Sequence, residues 1–211
     1  MDMKQVLYIH GMGGGSDSRI PSILSGLLSG KATVIVRTYD FDPEIASRQI
    51  GQWVDEIRPD LVIGESLGSL HAIRITGVPH LFVSPALNAP LYFGVMAWIC
   101  LIPGMTLVFD RIYRPREGDR QRLHFTFRTL RKYRSHRQKA LALSPRNGGT
   151  DSFFAFIGTA DHYRKSGVVS LRTWKKYFGD AFMTYDGTHF MEEPFIDSIL
   201  VPKILDALNI K

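Results

Sequence analysis

Leu61-Val62-Ile63-Gly64-Glu65-Ser66-Leu67-Gly68 is the stretch that decides the fold. Three apolar residues of strand type lead into Gly-x-Ser-x-Gly, and the residues that follow, 69–75, have helical spacing. A chain that passes from strand to helix in this pattern turns sharply at the serine, and the two glycines let its backbone approach its neighbours closely. The pattern therefore predicts that Ser66 lies at a strand tip with its hydroxyl exposed, as a nucleophile requires.

Short apolar runs alternate with helical patterns along most of the chain. Most of the apolar runs are continuous, which is typical of parallel strands covered by helices on both faces. The alternation predicts an α/β fold of three layers around a six-stranded, mainly parallel sheet. The predicted strands are residues 6–9, 33–36, 61–63, 81–83, 153–157 and 181–185, and the predicted helices are residues 16–28, 43–57, 67–75, 167–178 and 192–208.

Residues 87–145 interrupt this alternation. We predict that they form a helical cap inserted into a core made of residues 1–86 and 146–211. The first part, residues 91–109, contains no charged residue, but Gly94, Pro103 and Gly104 interrupt it and disfavour a membrane span. It is expected instead to line an acyl pocket. The second part, residues 120–140, is predicted to be a helix with its apolar residues on one face.

Positive charge is concentrated in residues 111–146, on a chain whose formal net charge is +6. A solvated outer face is the simplest interpretation, and an anionic lipid surface or an acidic substrate is the alternative. Nucleic acid is disfavoured because no recognised binding module is present. His124 and His136 of this segment are expected to face solvent. The basic residues are Arg111, Arg114, Arg116, Arg120, Arg122, Arg128, Arg131, Lys132, Arg134, Arg137, Lys139 and Arg146.

The composition is that of an ordinary globular protein, with 211 residues of which 45% are hydrophobic and 22% charged. One cysteine, Cys100, excludes an intrachain disulfide, and the N-terminal residues lack the apolar region of a secretory signal, so we expect a cytoplasmic protein. No cofactor or metal is expected. The glycine-rich segment 11–15 lacks both the final glycine of a dinucleotide-binding fingerprint and a Walker lysine.

Polar residues with the chemistry to activate Ser66 follow two later strands. Asp161 comes directly after the fifth predicted strand, and His189 lies on the loop after the sixth. A serine hydroxyl needs a base within hydrogen-bond reach, and that base needs an acid to orient it. Asp186 and Asp40 are alternatives to Asp161. We expect His10 to shape the glycine loop rather than take part in chemistry, and His71 to be structural.

The chain resembles small α/β-hydrolases, in particular compact bacterial serine esterase-like members. The resemblance rests on the order Ser66, Asp161, His189 and on four segments that leave only the cap unmatched: 10–15, 64–68, 158–161 and 187–190. It implies that Ser66 is the nucleophile, His189 the general base and then acid, and Asp161 the orienting carboxylate. It also implies an oxyanion hole made by the backbone N–H groups of Met12 and Leu67. In a doubly wound sheet the first and third strands are neighbours, which would bring Met12 close to Ser66.

The same resemblance implies a serine hydrolase that cleaves a carboxylic ester or thioester through an acyl-enzyme. The expected partner is a small-molecule ester, with an aliphatic acyl chain if the charge-free segment 91–109 lines the pocket. Two alternatives stay open because a fold does not fix a function. One is an acyltransferase, and the other is a non-catalytic hydrolase-fold protein that binds an anionic partner through its basic segment.

Overall fold

The computed structural model describes residues 3–115 and 117–210, so Arg116 of the basic segment lies outside the described residues. Six strands form one sheet in the order β2-β1-β3-β4-β5-β6, and all five pairings are parallel. This confirms the predicted sheet. The strands are β1 Lys4–Ile9, β2 Ala32–Val36, β3 Leu61–Glu65, β4 His80–Val83, β5 Phe153–Gly158 and β6 Phe182–Tyr185.

The helices of the described residues connect these strands and follow the last one. A short 3₁₀ helix, Ser66–Gly68, precedes α3, and the π-helical segment Ile196–Leu200 joins α9 to α10. The predicted helix 43–57 is matched because Asp42 caps it and Pro43 occupies its first position. The α-helices are α1 Arg19–Leu27, α2 Pro43–Ile57, α3 Ser69–Ala72, α4 Ala89–Ile99, α5 Met105–Ile112, α6 Phe127–Ala142, α7 Tyr163–Ser166, α8 Leu171–Phe178, α9 Glu193–Phe195 and α10 Val201–Ala207.

Two buried apolar clusters, one on each face of the sheet, confirm the three layers. Alternate strand residues point to opposite faces, so that Leu7 belongs to one cluster and Val6 to the other. The first cluster takes residues from α2, α3, α4, α6 and α8, and the second takes residues from α1, α10 and the π-helical segment. Because helices cover both faces, most residues of the strands are apolar, as in the run Val6 to Ile9 of β1.

The segment 87–145 contains α4, α5 and α6, and α6 packs against α2 and α3 as well as α4. Helix α6 begins later than the predicted residue 120, at Phe127. Thr126 caps this helix, because its side chain accepts a hydrogen bond from the Thr129 N–H. The expectation that His136 faces solvent is wrong: its ring is buried on the inner side of α6, 4.3 Å from the ring centroid of His71. The division into a core and an inserted cap remains a prediction.

The charge-free stretch is divided between two short helices. α4 ends at Ile99 and α5 begins at Met105, after Gly104 in a left-handed conformation with φ +84°. Of the helices in the described residues, none is sufficiently long and apolar to cross a bilayer.

Candidate active site

The Gly-x-Ser-x-Gly turn has the sharp geometry that its sequence predicts. Ser66 follows β3 directly and has a φ of +48°, a strained value for a residue with a side chain. A Cβ on Gly68 would lie 2.3 Å from the His10 carbonyl oxygen, and one on Gly64 would lie 2.8 Å from the Ala72 Cβ. Both glycines are therefore required because neighbouring atoms occupy the space of a side chain.

Ser66, His189 and Asp161 form a continuous hydrogen-bonded chain. The His189 Nε2 is 2.9 Å from the Ser66 Oγ, and its Nδ1 is 2.8 Å from the Asp161 Oδ2. An ionised carboxylate only accepts hydrogen bonds, so Asp161 favours the tautomer that carries its proton on Nδ1 and leaves Nε2 free to accept the serine proton. The structure brings the three predicted residues together from the ends of β3, β5 and β6.

Asp161 is buried, yet it is held in the ionised state. Burial alone would raise the pKa of this carboxyl, but hydrogen bonds from His189 and from the Tyr163 backbone N–H outweigh that effect, and the pKa is lowered from its usual value. The two rival carboxylates lie elsewhere. Asp186 is exposed and accepts a hydrogen bond from Thr159, and Asp40 accepts one from the Asp42 backbone.

The glycine loop after β1 lies beside the serine, because β1 and β3 are neighbours in the sheet. A Cβ on Gly11 would lie 3.1 Å from the Ser66 Cβ, and Met12 lines the same cavity as Ser66 and Leu67. Among the described residues no group accepts a hydrogen bond from the Met12 N–H. This arrangement leaves that donor available to a bound molecule.

A cavity of about 370 Å³ opens over the Ser66 hydroxyl. Its walls are mainly apolar and include Ile20, Phe93, Val168 and Phe190, with Glu65, Arg19 and Arg120 as charged members. Of the charge-free segment 91–109, only Tyr92 and Phe93 line this cavity. The other residues of that segment do not line this cavity, so the predicted contribution of the segment to an acyl pocket is limited here to these two residues.

The fold has many solved counterparts of low sequence identity. A variant of tomato methylketone synthase I complexed with beta-ketoheptanoate superimposes with a TM-score of 0.65 at 10% identity over 99% of this chain and all of that one. A thermophilic esterase from Thermogutta terrifontis superimposes with a TM-score of 0.62 at 12% identity, over 97% of this chain and 90% of that one. The type II thioesterase BorB from the borrelidin biosynthetic cluster superimposes with a TM-score of 0.58 at 17% identity, over 99% of this chain and 92% of that one. The chain has an α/β-hydrolase fold. By sequence, neither a protein-family model nor a curated protein matches it.

Two residues that support the site in this α/β-hydrolase fold carry no sequence signal of their own. The buried Gln121 accepts a hydrogen bond from the Gly13 N–H at 3.0 Å and donates through its backbone to the Gly14 carbonyl, so it fixes the glycine loop. Arg19 donates to the carbonyls of Phe190 and Met191, directly after His189. Both contacts join positions more than 100 residues apart, which no local pattern predicts.

Glu65, beside the nucleophile, also contributes a carboxylate to the cavity wall. Burial raises the pKa of this carboxyl, although the hydrogen bond from the Tyr8 hydroxyl at 2.8 Å opposes the rise. The sequence reasoning gave Glu65 no role, because its contact with Tyr8 depends on the pairing of β1 with β3.

The other histidines near the glycine loop are buried and neutral. The His10 ring stacks on Tyr39 at 4.3 Å, and its Nδ1 is 2.7 Å from the Gly11 carbonyl, as expected of a residue that shapes the loop. Burial lowers the pKa of His10 to about 4 and that of His71 well below its usual value.

Proposed function

We propose that this protein is a serine hydrolase that cleaves a carboxylic ester or thioester through an acyl-enzyme. The observation that carries the proposal is the hydrogen-bonded chain of Ser66, His189 and Asp161, with the serine hydroxyl open to an apolar cavity. The presence of an esterase and a thioesterase among the structures of the same fold is consistent with this chemistry.

Acylation would begin when His189 Nε2 takes the proton of the Ser66 hydroxyl as the oxygen attacks the substrate carbonyl. The negative oxygen of the tetrahedral intermediate would accept hydrogen bonds from the backbone N–H groups of Met12 and Leu67. Donors already directed at that oxygen stabilise the transition state, and the loss of one typically costs about 3 kcal/mol. The imidazolium then passes its proton to the departing alkoxide or thiolate.

Deacylation would repeat these steps with water in place of serine. His189 takes a proton from the water, hydroxide attacks the acyl carbonyl, and the Ser66 oxygen leaves with the proton that His189 returns. Asp161 remains ionised throughout and stabilises the imidazolium. Its lowered pKa supports this role.

The substrate class that fits the cavity is an ester of an aliphatic acid. Phe93, Ile20 and Val168 provide an apolar wall, and a volume of about 370 Å³ is enough for a medium-length acyl chain. We expect p-nitrophenyl esters of intermediate chain length to be cleaved with higher kcat/KM than the acetate.

Labelling with a fluorophosphonate probe tests the nucleophile directly. The wild-type protein should be labelled and Ser66→Ala should not. Ser198→Ala is the matched control, because Ser198 is exposed on the π-helical segment and should label like the wild type. Absence of labelling in the wild-type protein would contradict the proposal and favour the non-catalytic alternative. Turnover of an ester only when an alcohol acceptor is added would identify an acyltransferase.

A further inference from the structure

α4 is apolar all around, but only one of its sides is covered. Phe93 and Ala97 are buried, and α4 packs against α6. On the opposite side Leu91, Val95 and Trp98 follow one another at helical spacing and are exposed, Val95 by 66% and Trp98 by 62%. An isolated exposed apolar residue is ordinary, whereas a continuous exposed stripe marks an interaction surface.

α5 and its connection to α4 extend this surface. α5 has no buried residue, and Leu107 on it is 73% exposed. Eleven of the eighteen large apolar side chains that are exposed in the described residues lie within residues 91–113. We call them the apolar face; they are Leu91, Tyr92, Val95, Trp98, Ile99, Leu101, Ile102, Leu107, Val108, Ile112 and Tyr113.

Exposed arginines border the apolar face. At one side Trp98 contacts Phe127, with ring centroids 5.4 Å apart, and the Arg131 guanidinium lies 5.8 Å from the same Phe127 ring. Arg111 lies on α5 itself and Arg114 follows the end of this helix, and both are exposed. Among the described residues, no carboxylate forms an ion pair with any member of the arginine rim, which comprises Arg111, Arg114 and Arg131.

We infer that the apolar face docks on the surface of a bilayer containing anionic phospholipid, with α4 and α5 lying in the interface. An apolar surface bordered by cations has the charge pattern of interfacial helices, whose apolar side enters the acyl boundary while the basic groups remain among the headgroups. α4 has 11 residues and α5 has 8, far fewer than the roughly 20 that a membrane span needs.

The arginine rim also argues against a second copy of this chain as the occupant. A symmetric dimer through the apolar face would bring two arginine rims together, and like charges across an interface oppose association. Anionic headgroups neutralise the same arginines. The charge complementarity therefore favours lipid over self-association.

Docking in this orientation would connect the bilayer to the cavity over Ser66. Tyr92 belongs to both surfaces, since it is exposed on α4 and lines the cavity. An ester dissolved in the membrane would then reach the cavity along an apolar path. This consequence rests on the proposed hydrolase function, whereas docking itself does not.

Sedimentation with lipid vesicles tests the docking. The full-length wild-type protein should bind phosphatidylcholine vesicles that contain phosphatidylglycerol, bind pure phosphatidylcholine at least about tenfold more weakly, and dissociate as salt is raised. Binding should also shift the Trp98 emission to the blue, because Trp98 is the exposed indole on the apolar face.

Two variants and two matched controls separate the apolar and the charged contributions. Val95→Ser/Leu107→Ser and Arg111→Gln/Arg114→Gln/Arg131→Gln should each reduce vesicle binding about tenfold or more, while folding is retained because these side chains are exposed. Met3→Ser/Met183→Ser and Lys31→Gln/Arg172→Gln change exposed residues elsewhere and should bind like the wild type.

Three results would overturn the inference. The first is that the wild-type protein does not bind anionic vesicles. The second is that the variants and their controls lose vesicle binding equally. The third is a dimer in solution that dissociates in Val95→Ser/Leu107→Ser. The last result would identify the apolar face as a contact between copies. Probe labelling and the cleavage of a water-soluble ester, both measured without vesicles, report on the hydrolase function separately.

Discussion

The hydroxyl of Ser66 and the imidazole of His189 lie 2.9 Å apart although 123 residues separate them in the sequence. The contact forms because β3 and β6 run in the same direction in one parallel sheet, so the loops that follow them meet at the same edge. Ligand sites of open α/β sheets lie at this carboxyl edge of the strands for the same reason. The position of the candidate site is therefore a consequence of sheet topology.

Replacement of Asp161 by asparagine tests which carboxylate orients His189. An amide can donate to Nδ1 and so favour the wrong tautomer, and we expect Asp161→Asn to lower kcat by about three to four orders of magnitude without unfolding the protein. Asp186→Asn is the matched control and should keep wild-type activity, since Asp186 is exposed and contacts Thr159. Steady-state ester hydrolysis measures kcat of both variants. A larger fall of kcat in Asp186→Asn than in Asp161→Asn would show that Asp186 orients His189.

Replacement of Gly68 by alanine tests the close approach of β1 to the serine turn. The added Cβ would lie 2.3 Å from the His10 carbonyl oxygen and 2.5 Å from that of Ile9, both backbone atoms. We expect the free energy of unfolding to fall by about 1–3 kcal/mol and ester hydrolysis to be lost as the turn shifts. Gly51→Ala, on the exposed side of α2, is the matched control. No atom lies within 4 Å of the Cβ that this change adds, and the free energy of unfolding should rise by about 0.5–1 kcal/mol. Urea unfolding measures both, and equal stability of the two variants would contradict this account.

Replacement of Gln121 by leucine tests whether the glycine loop must be held in place. The Gly13 N–H would lose its acceptor, which costs about 1–3 kcal/mol for a buried donor. We also expect kcat to fall about 10- to 100-fold with little change in KM, because the Met12 N–H would move from the position of the oxyanion. Gln138→Leu, an exposed site on α6, should leave both quantities unchanged. A wild-type kcat in Gln121→Leu would show that the loop holds its shape alone.

The buried histidines should make the protein sensitive to acid. Burial lowers the pKa of His10 to about 4, that of His136 to about 3 and that of His71 well below its usual value of 6.5. Between about pH 6.5 and 4 these groups are neutral in the folded chain and protonated in the unfolded chain, so the unfolded state binds more protons. The free energy of unfolding should therefore fall as the pH falls, by up to about 1.4 kcal/mol per pH unit for each histidine.

Urea unfolding of His71→Phe at several pH values measures this contribution. The ring nitrogens of His71 have no partner among the described residues, so phenylalanine should fit, and the loss of stability between pH 7 and pH 5 should be smaller than in the wild type. His162→Phe removes an exposed histidine that forms no ion pair among the described residues, and this variant should keep the wild-type pH dependence. An unchanged pH dependence in His71→Phe would show that this ring does not contribute.

The regular elements of the core were predictable because each rests on a local pattern. The runs 6–9 and 61–63 are apolar enough to be buried strands, and Asp42-Pro43 starts a helix through contacts within a few residues. Prediction from sequence was weaker for residues whose local pattern fits both a surface position and a buried one. His136 belongs to a basic segment, yet its position on α6 turns it towards His71. The start of α6 was predicted too early because Arg120 pairs with Gly15 and Gln121 bonds to Gly13 and Gly14, and because the helix is capped only at Thr126.

The sequence by itself determined the alternation of strands and helices, the sharp turn at Ser66, and the order in which the polar residues of the candidate site follow their strands. These features depend on the spacing of apolar residues and on glycines at fixed positions, which act over a few neighbouring residues. The tertiary structure alone decided that Asp161 rather than Asp186 contacts His189, that Gln121 holds the glycine loop, and that the apolar side of α4 stays uncovered. Each of these depends on which distant segments pack together, and that packing reflects the free energy of the whole core.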